Sequence, residues 1–206
     1  MTKAQSDSTR DAIGLLMEDH KRLQKLFRDF RDAQAEDDET VSELVETACM
    51  EVQIHAILEE ELFYPAVRAH LADGDEAHQS FLNEAEVEHE SVDELVAKLQ
   101  ELEPDDPMYA AYFNVLAEYV KNHIRKEEKD LFPEVKKMQE IDLQQLAEDM
   151  RLRREQLFDE IEAGAVEGET DIAAPQDDDV AAIEDEYAEE ESEDAQEQID
   201  ISRTRH

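Results

Sequence analysis

One phrase is written twice in this chain. His55, Glu59, Glu60, Leu62, Phe63, Tyr64 and Pro65 return as His123, Glu127, Glu128, Leu131, Phe132 and Pro133. In both copies a glutamate follows the histidine by four residues and a proline follows it by ten. Each copy is preceded by a lone histidine, His20 before the first and His89 before the second, 35 and 34 residues upstream. The chain reads as two units of about 68 residues, each with one lone histidine and one His-x-x-x-Glu pair.

Both units carry helical periodicity. Ile13, Leu16, Met17, Leu23, Phe27 and Phe30 recur at the spacing of one helix face, with His20 in the same stripe. Val41, Leu44, Val45, Ala48, Val52, His55, Glu59, Leu62 and Ala66 form a second stripe, and Thr40 with Glu43 reads as its capping box. Pro65 is expected to kink this helix or mark its last turns. Asp73, Gly74 and Asp75 end the first unit. A third helix is expected over about 76–102, with Leu82, His89, Val92, Val96 and Leu99 in its stripe. A fourth comes next, with Pro107 as its first residue. It carries Tyr112, Phe113, Leu116, Tyr119, Val120, His123, Glu127 and Leu131 and fades near Met138.

A fifth amphipathic stretch covers about 142–161. The expected fold is all-α: an antiparallel up-down-up-down four-helix bundle over residues 10–162, with a short fifth helix across or at one end of it. Residues 1–9 are expected to be disordered. So is the acidic tail 163–206, which holds 16 acidic and 2 basic residues and few large apolar ones.

Histidine and glutamate four apart lie one turn apart on the same helix face. His55 with Glu59, and His123 with Glu127, therefore point into the bundle, as do His20 and His89. Two buried carboxylates need compensation; the idealised cost of burying an unpaired one is on the order of 20 kcal/mol, and several kcal/mol after relaxation. The stripes offer no Lys or Arg, so a cation, or a pair of them, is the expected partner. Imidazole with carboxylate suits iron, manganese or zinc, and no thiolate is offered. His70, His78 and His206 fall off the stripes and are expected at the surface.

The net charge of −38 sets limits on partners. A phosphate backbone or an anionic membrane surface needs Lys and Arg facing it, so neither nucleic acid nor membrane is expected. Acid spread over the whole chain also fits a high-salt habitat. A single cysteine, Cys49, allows no intrachain disulfide, and a cytoplasmic location is expected. No stretch of apolar residues is long enough to span a bilayer.

These residues resemble the hemerythrin-like (HHE cation-binding) proteins. The likeness is carried by Asp19-His20, His55-x3-Glu59, Glu88-His89 and His123-x3-Glu127, with both aromatic-proline phrases, and covers about residues 10–160. It implies a non-heme diiron centre with an oxo or hydroxo bridge. Glu59 and Glu127 would bridge, His20 and His55 would serve one iron, and His89 and His123 the other. Zinc or manganese remain alternatives.

The pattern departs from that of the oxygen carriers on the fourth helix, where Glu127 and Glu128 stand four and five residues after His123 and those proteins commonly have an Asp at the fifth, and on the third helix. Where those proteins have a second histidine on the third helix, this chain has Ala85, and Glu86 could serve in its stead. The resemblance implies binding of O2, NO or peroxide in sensing or stress protection. Iron storage, donation or iron-level sensing is a second reading. A third is an oxidase or peroxidase-type enzyme, with Tyr64 and Tyr119 as redox-active neighbours.

Overall fold

The computed structural model describes residues 10–33, 38–72 and 74–162, all within one compact unit, Met1–Ala165. The N-terminal stretch, His206 and the acidic tail, for which disorder was expected, lie outside the described residues. Five helices and no strands are found among those described.

Helix α1 spans Ala12–Ala33. The Asp11 carboxylate caps it by accepting a bond from the Gly14 N–H at 2.8 Å. Helix α2 is continuous but changes pitch: an α-helix over Asp38–Leu58, a π turn over Glu59–Phe63 and a last α segment over Tyr64–Arg68. Helix α3 covers Glu76–Gln100. Helix α4 repeats the α2 pattern, with an α-helix over Tyr109–Lys126, a π turn over Glu127–Leu131 and an α segment over Phe132–Val135. Helix α5 runs over Leu143–Glu162, with Asp142 accepting bonds from the Gln144 and Gln145 N–H groups.

Helices α1 and α2 pack along each other, as do α3 and α4; contacts of α1 with α4 and of α2 with α3 close the ring. Helix α5 lies against α1, α2 and the first π turn. The α2–α3 turn uses Gly74 at φ +85°, a left-handed conformation that a Cβ would strain. Asp75 then caps α3 by accepting from the His78 N–H.

Two boundaries differ from the sequence reading. Helix α2 starts at Asp38, so Thr40 and Glu43 lie inside it and do not form its cap. Helix α4 starts at Tyr109, leaving Pro107 outside; the Asp106 carboxylate accepts from the Met108 N–H at 2.7 Å there.

The prolines add a feature that periodicity does not show. Pro65 lies in the last turns of α2, as expected, and a widened turn precedes both Pro65 and Pro133. A proline ring in an α-helix runs into the carbonyl four residues back. Here the turn before each proline opens: the Tyr64 N–H donates to the Glu59 carbonyl, and the Phe132 N–H to the Glu127 carbonyl, each five residues back. The helix then continues past the ring. The extra residue per turn also rotates the end of the helix, so that Phe63, Tyr64 and Val67 are buried where Leu62 and Ala66 were expected.

The core is divided. One apolar cluster contains Ile13, Leu16, Leu58, Phe63, Leu82, Phe132 and the inner face of α5. The other contains Leu23, Phe27, Phe30, Val52, Val92, Phe113 and Leu116. His20, His55, Glu59, His89, His123 and Glu127, all buried, make the polar layer of the bundle.

Candidate metal centre

The four long helices bring six of the seven expected site residues together. Their side-chain donor atoms fall into two groups, each with its atoms within 4.8 Å of one another: His20, His55, Glu59 and Glu127 in one, Glu59, His89 and His123 in the other. Glu59 belongs to both. Glu127 also reaches the second group, with Oε2 3.4 Å from His123 Nε2 and 3.3 Å from His20 Nε2. The Nε2 atoms of His89 and His123 are 3.3 Å apart.

Glu86 is the residue that does not join. Its carboxylate pairs with the Arg68 guanidinium at 2.9 Å on the α2 side of α3, and its side chain is 46% exposed. Ala85, one residue earlier, is the position that packs in the core. Tyr119 is also placed outside: it is 47% exposed on the outer face of α4, away from the polar layer.

Each histidine points Nε2 inward and turns Nδ1 toward a carboxylate on another helix. Glu128 stands 2.9 Å from His20 Nδ1, Glu60 2.7 Å from His89 Nδ1, and Glu88 3.0 Å from His123 Nδ1. Asp19 faces His55 Nδ1 at 3.7 Å. The set follows the sequence repeat. Asp19 and Glu88 each precede a lone histidine, and Glu60 and Glu128 each follow an inner glutamate. A carboxylate on Nδ1 fixes the tautomer that leaves Nε2 free to ligate, and it makes that nitrogen a better donor.

Tyr64 was expected only as a neighbour, and the structure puts its hydroxyl among the donors. It donates toward Glu127 Oε1 at 3.0 Å and Glu59 Oε2 at 3.2 Å, and lies 3.5 Å from His123 Nε2. Its ring stacks on His89. Simple periodicity hides it, because nine residues after His55 is the far side of an ideal α-helix. The proline ten residues after each histidine was the available signal.

The buried imidazoles and carboxylates of the layer stabilise one another's charged forms. Burial alone would lower the pKa of His20 and of His123, yet both are raised, His123 strongly, by the carboxylates of Glu127, Glu59 and their outer partners. Burial would raise Glu127; His123 and His20 instead hold it well below the usual carboxylate range. The His123 hydrogen bond and Lys126 bring Glu88 down to about 2 against its burial. Burial and the two inner carboxylates push the Tyr64 phenol well above its usual value.

The residues fit a metal. His20 Nε2, Glu59 Oε1, Glu127 Oε2 and both ring nitrogens of His55 are buried and have no hydrogen-bond partner. The four of these atoms that face the donor groups, all but His55 Nδ1, are costly in a packed interior unless a cation takes them. The donors are nitrogen and oxygen only. Cys49 lies in the apolar cluster beyond the layer and belongs to neither donor group, and burial raises its thiol to about 12.

Comparison with known proteins gives the fold and the family. A solved hemerythrin HHE cation-binding domain-containing protein from Mycobacterium kansasii shares the fold, at a TM-score of 0.62 and 24% identity; the alignment covers 76% of this chain and 95% of that one. A DNA nickase from Nostoc sp. (strain PCC 7120 / SAG 25.82 / UTEX 2576) is 27% identical over 118 residues, which is 57% of this chain and 31% of the nickase. The chain thus spans about a third of that relative's length. The family model for the hemerythrin HHE cation binding domain matches residues 11–135, which include all six clustered residues and their four outer carboxylates. With more than half its length covered by that match, the chain belongs to the hemerythrin HHE cation-binding family.

Proposed function

We propose that this chain is a non-heme diiron-binding protein that takes up O2, NO or peroxide in sensing or stress protection. One observation carries the reading: two adjacent donor groups share Glu59, with an outer carboxylate on the Nδ1 of His20, His89 and His123 and Asp19 facing that of His55 at 3.7 Å. His20 and His55 would hold one ion, His89 and His123 the other, and Glu59 and Glu127 would bridge. Two such ions supply redox chemistry and a position where a small ligand can bind.

The protein's own part is to exclude bulk water, hold the imidazoles in the ligating tautomer, and present a proton. The Tyr64 hydroxyl is the one protonated oxygen among the inner donors, and burial keeps it protonated. It is therefore the group placed to donate a hydrogen bond at the centre.

Nicking DNA is not part of this reading. The chain matches a third of that relative, and 58 acidic against 20 basic residues oppose a phosphate backbone. The test is anaerobic titration of the iron-loaded protein with NO, and separate titrations with O2 and with peroxide, each monitored by visible absorption. Saturable band changes support the reading; an iron-loaded protein whose spectrum ignores all three ligands contradicts it and favours iron storage or donation.

A further inference from the structure

The two halves of the centre are not equally equipped. In the second half, Glu88 backs His123 and is itself held by Lys126, which sits on the same helix as His123. In the first half the counterpart of Lys126, 68 residues earlier, is Leu58. Asp19, the counterpart of Glu88, nevertheless has cations on both oxygens. Arg22 binds Oδ1, and Arg154 of α5 binds Oδ2, the oxygen that faces His55. Arg154 also reaches Glu51 at 3.2 Å. A helix beyond the family-matched residues 11–135 thus fills the place that the repeat leaves open.

We infer that Arg154 is a positioning residue for the metal centre, holding the Asp19 carboxylate against His55 and so keeping the His55 proton on Nδ1 and its Nε2 turned to the ions. This rests on the metal-centre reading above.

The two arginines pull differently. The Arg22 side chain is 45% exposed and draws Asp19 outward; that of Arg154 is 19% exposed and holds it in. A cleft of about 210 Å³ between α1 and α5, with Asp19, Leu58, Met150 and Arg154 in its wall, gives the carboxylate room to swing away once released. At 3.7 Å the Asp19–His55 contact is longer than a hydrogen bond, so no direct bond would retain the carboxylate.

Arg153 supplies the control. It ties the same helix to the first π turn through Glu61, at 2.6 and 3.1 Å, and touches neither Asp19 nor a histidine. The test compares Arg154→Gln, Arg154→Lys and Arg153→Gln in the full chain. Three quantities are read: the tautomer of His55 by NMR of its ring nitrogens in metal-free protein, the rate of iron release to a chelator from loaded protein, and the melting temperature of the metal-free form.

The expected result for Arg154→Gln is a His55 that loses its Nδ1–H preference and iron release faster by about tenfold, the lower end of what losing an outer partner costs in affinity. Arg154→Lys should recover most of both. Arg153→Gln should lower the melting temperature comparably yet leave tautomer and release at wild-type values. An unchanged tautomer with unchanged or slower release in Arg154→Gln overturns the inference. So does equal acceleration in Arg153→Gln, which would mean that release follows the docking of α5 alone. A wild-type protein that takes up no iron would sink the metal-centre reading, while the tautomer measurement would still decide the role of Arg154.

Discussion

Tyr64 and Phe132 stand at the same place in the two halves of the molecule, nine residues after His55 and His123. Phe132 stacks on His20 with ring planes 8° apart, and Tyr64 stacks on His89 at 17°. In these contacts the pair obeys the internal two-fold relation, and it departs from it in the phenol hydroxyl, which bonds both inner glutamates.

Replacing Tyr64 by Phe should therefore make the halves alike and leave the fold intact. It removes a donor shared by two buried carboxylates, and should destabilise the metal-free protein by about 1–3 kcal/mol, the usual penalty for stranding a buried acceptor. Urea denaturation of wild type and variant checks this. A Tyr64→Phe protein as stable as wild type would mean that the hydroxyl satisfies nothing.

Glu59 is shared by both donor groups, whereas Glu86 is salt-bridged to Arg68 outside them. Glu59→Gln should cost most of the bound metal. Glu86→Ala should cost none, because a half-exposed ion pair contributes at most about 1 kcal/mol to stability and nothing to the centre. Metal content per chain after desalting separates the two.

The metal-free protein should be most stable in weakly acidic solution. His20 and His123 have raised values in the folded state, so their contribution is complete below the unfolded value of 6.5 and is lost as pH rises through the folded ones. Glu88 and Asp19 are lowered, so theirs is complete above the unfolded values of 4.5 and 3.8 and is lost as pH falls toward about 2 for Glu88. Denaturation of metal-free protein should show a maximum between these limits and a decline on the alkaline side. Metal uptake should run the other way, strengthening as pH rises, because the ligating imidazoles must shed protons.

A net charge of −38 should make the metal-free fold sensitive to ionic strength. Screening of self-repulsion predicts a melting temperature that climbs with added sodium chloride before levelling off. Calorimetry across a salt series checks it; a flat response would mean that the surface ion pairs already balance the repulsion.

How much of this was legible in the sequence depends on the residue. His20, His55, Glu59, His89, His123 and Glu127 were readable because each keeps helical phase with a row of apolar neighbours. The phase was lost at the π turns. Counting by 3.6 residues puts Tyr64 and Phe132 on the outer face, and only a widened turn brings them in. Glu86 misled for a related reason: sharing a broad helix face with His89 does not decide between the core and the flank, where Arg68 pairs with it. Asp19, Glu60, Glu88 and Glu128 recur with the repeat, but their places beside the histidine Nδ1 atoms are set by the packing of one helix beside another, which local pattern does not give. The link from Arg154 to Asp19 spans 135 residues, and local pattern carries no trace of it.

The most direct test of the metal centre is elemental mass spectrometry of full-length protein expressed with ample iron and then desalted. A dinuclear site predicts about two iron ions per chain, falling to a small fraction in Glu59→Gln. Negligible iron, or a single zinc, in a folded wild-type protein would contradict it, and the histidine–glutamate layer would then be a structural feature of the bundle or a mononuclear site.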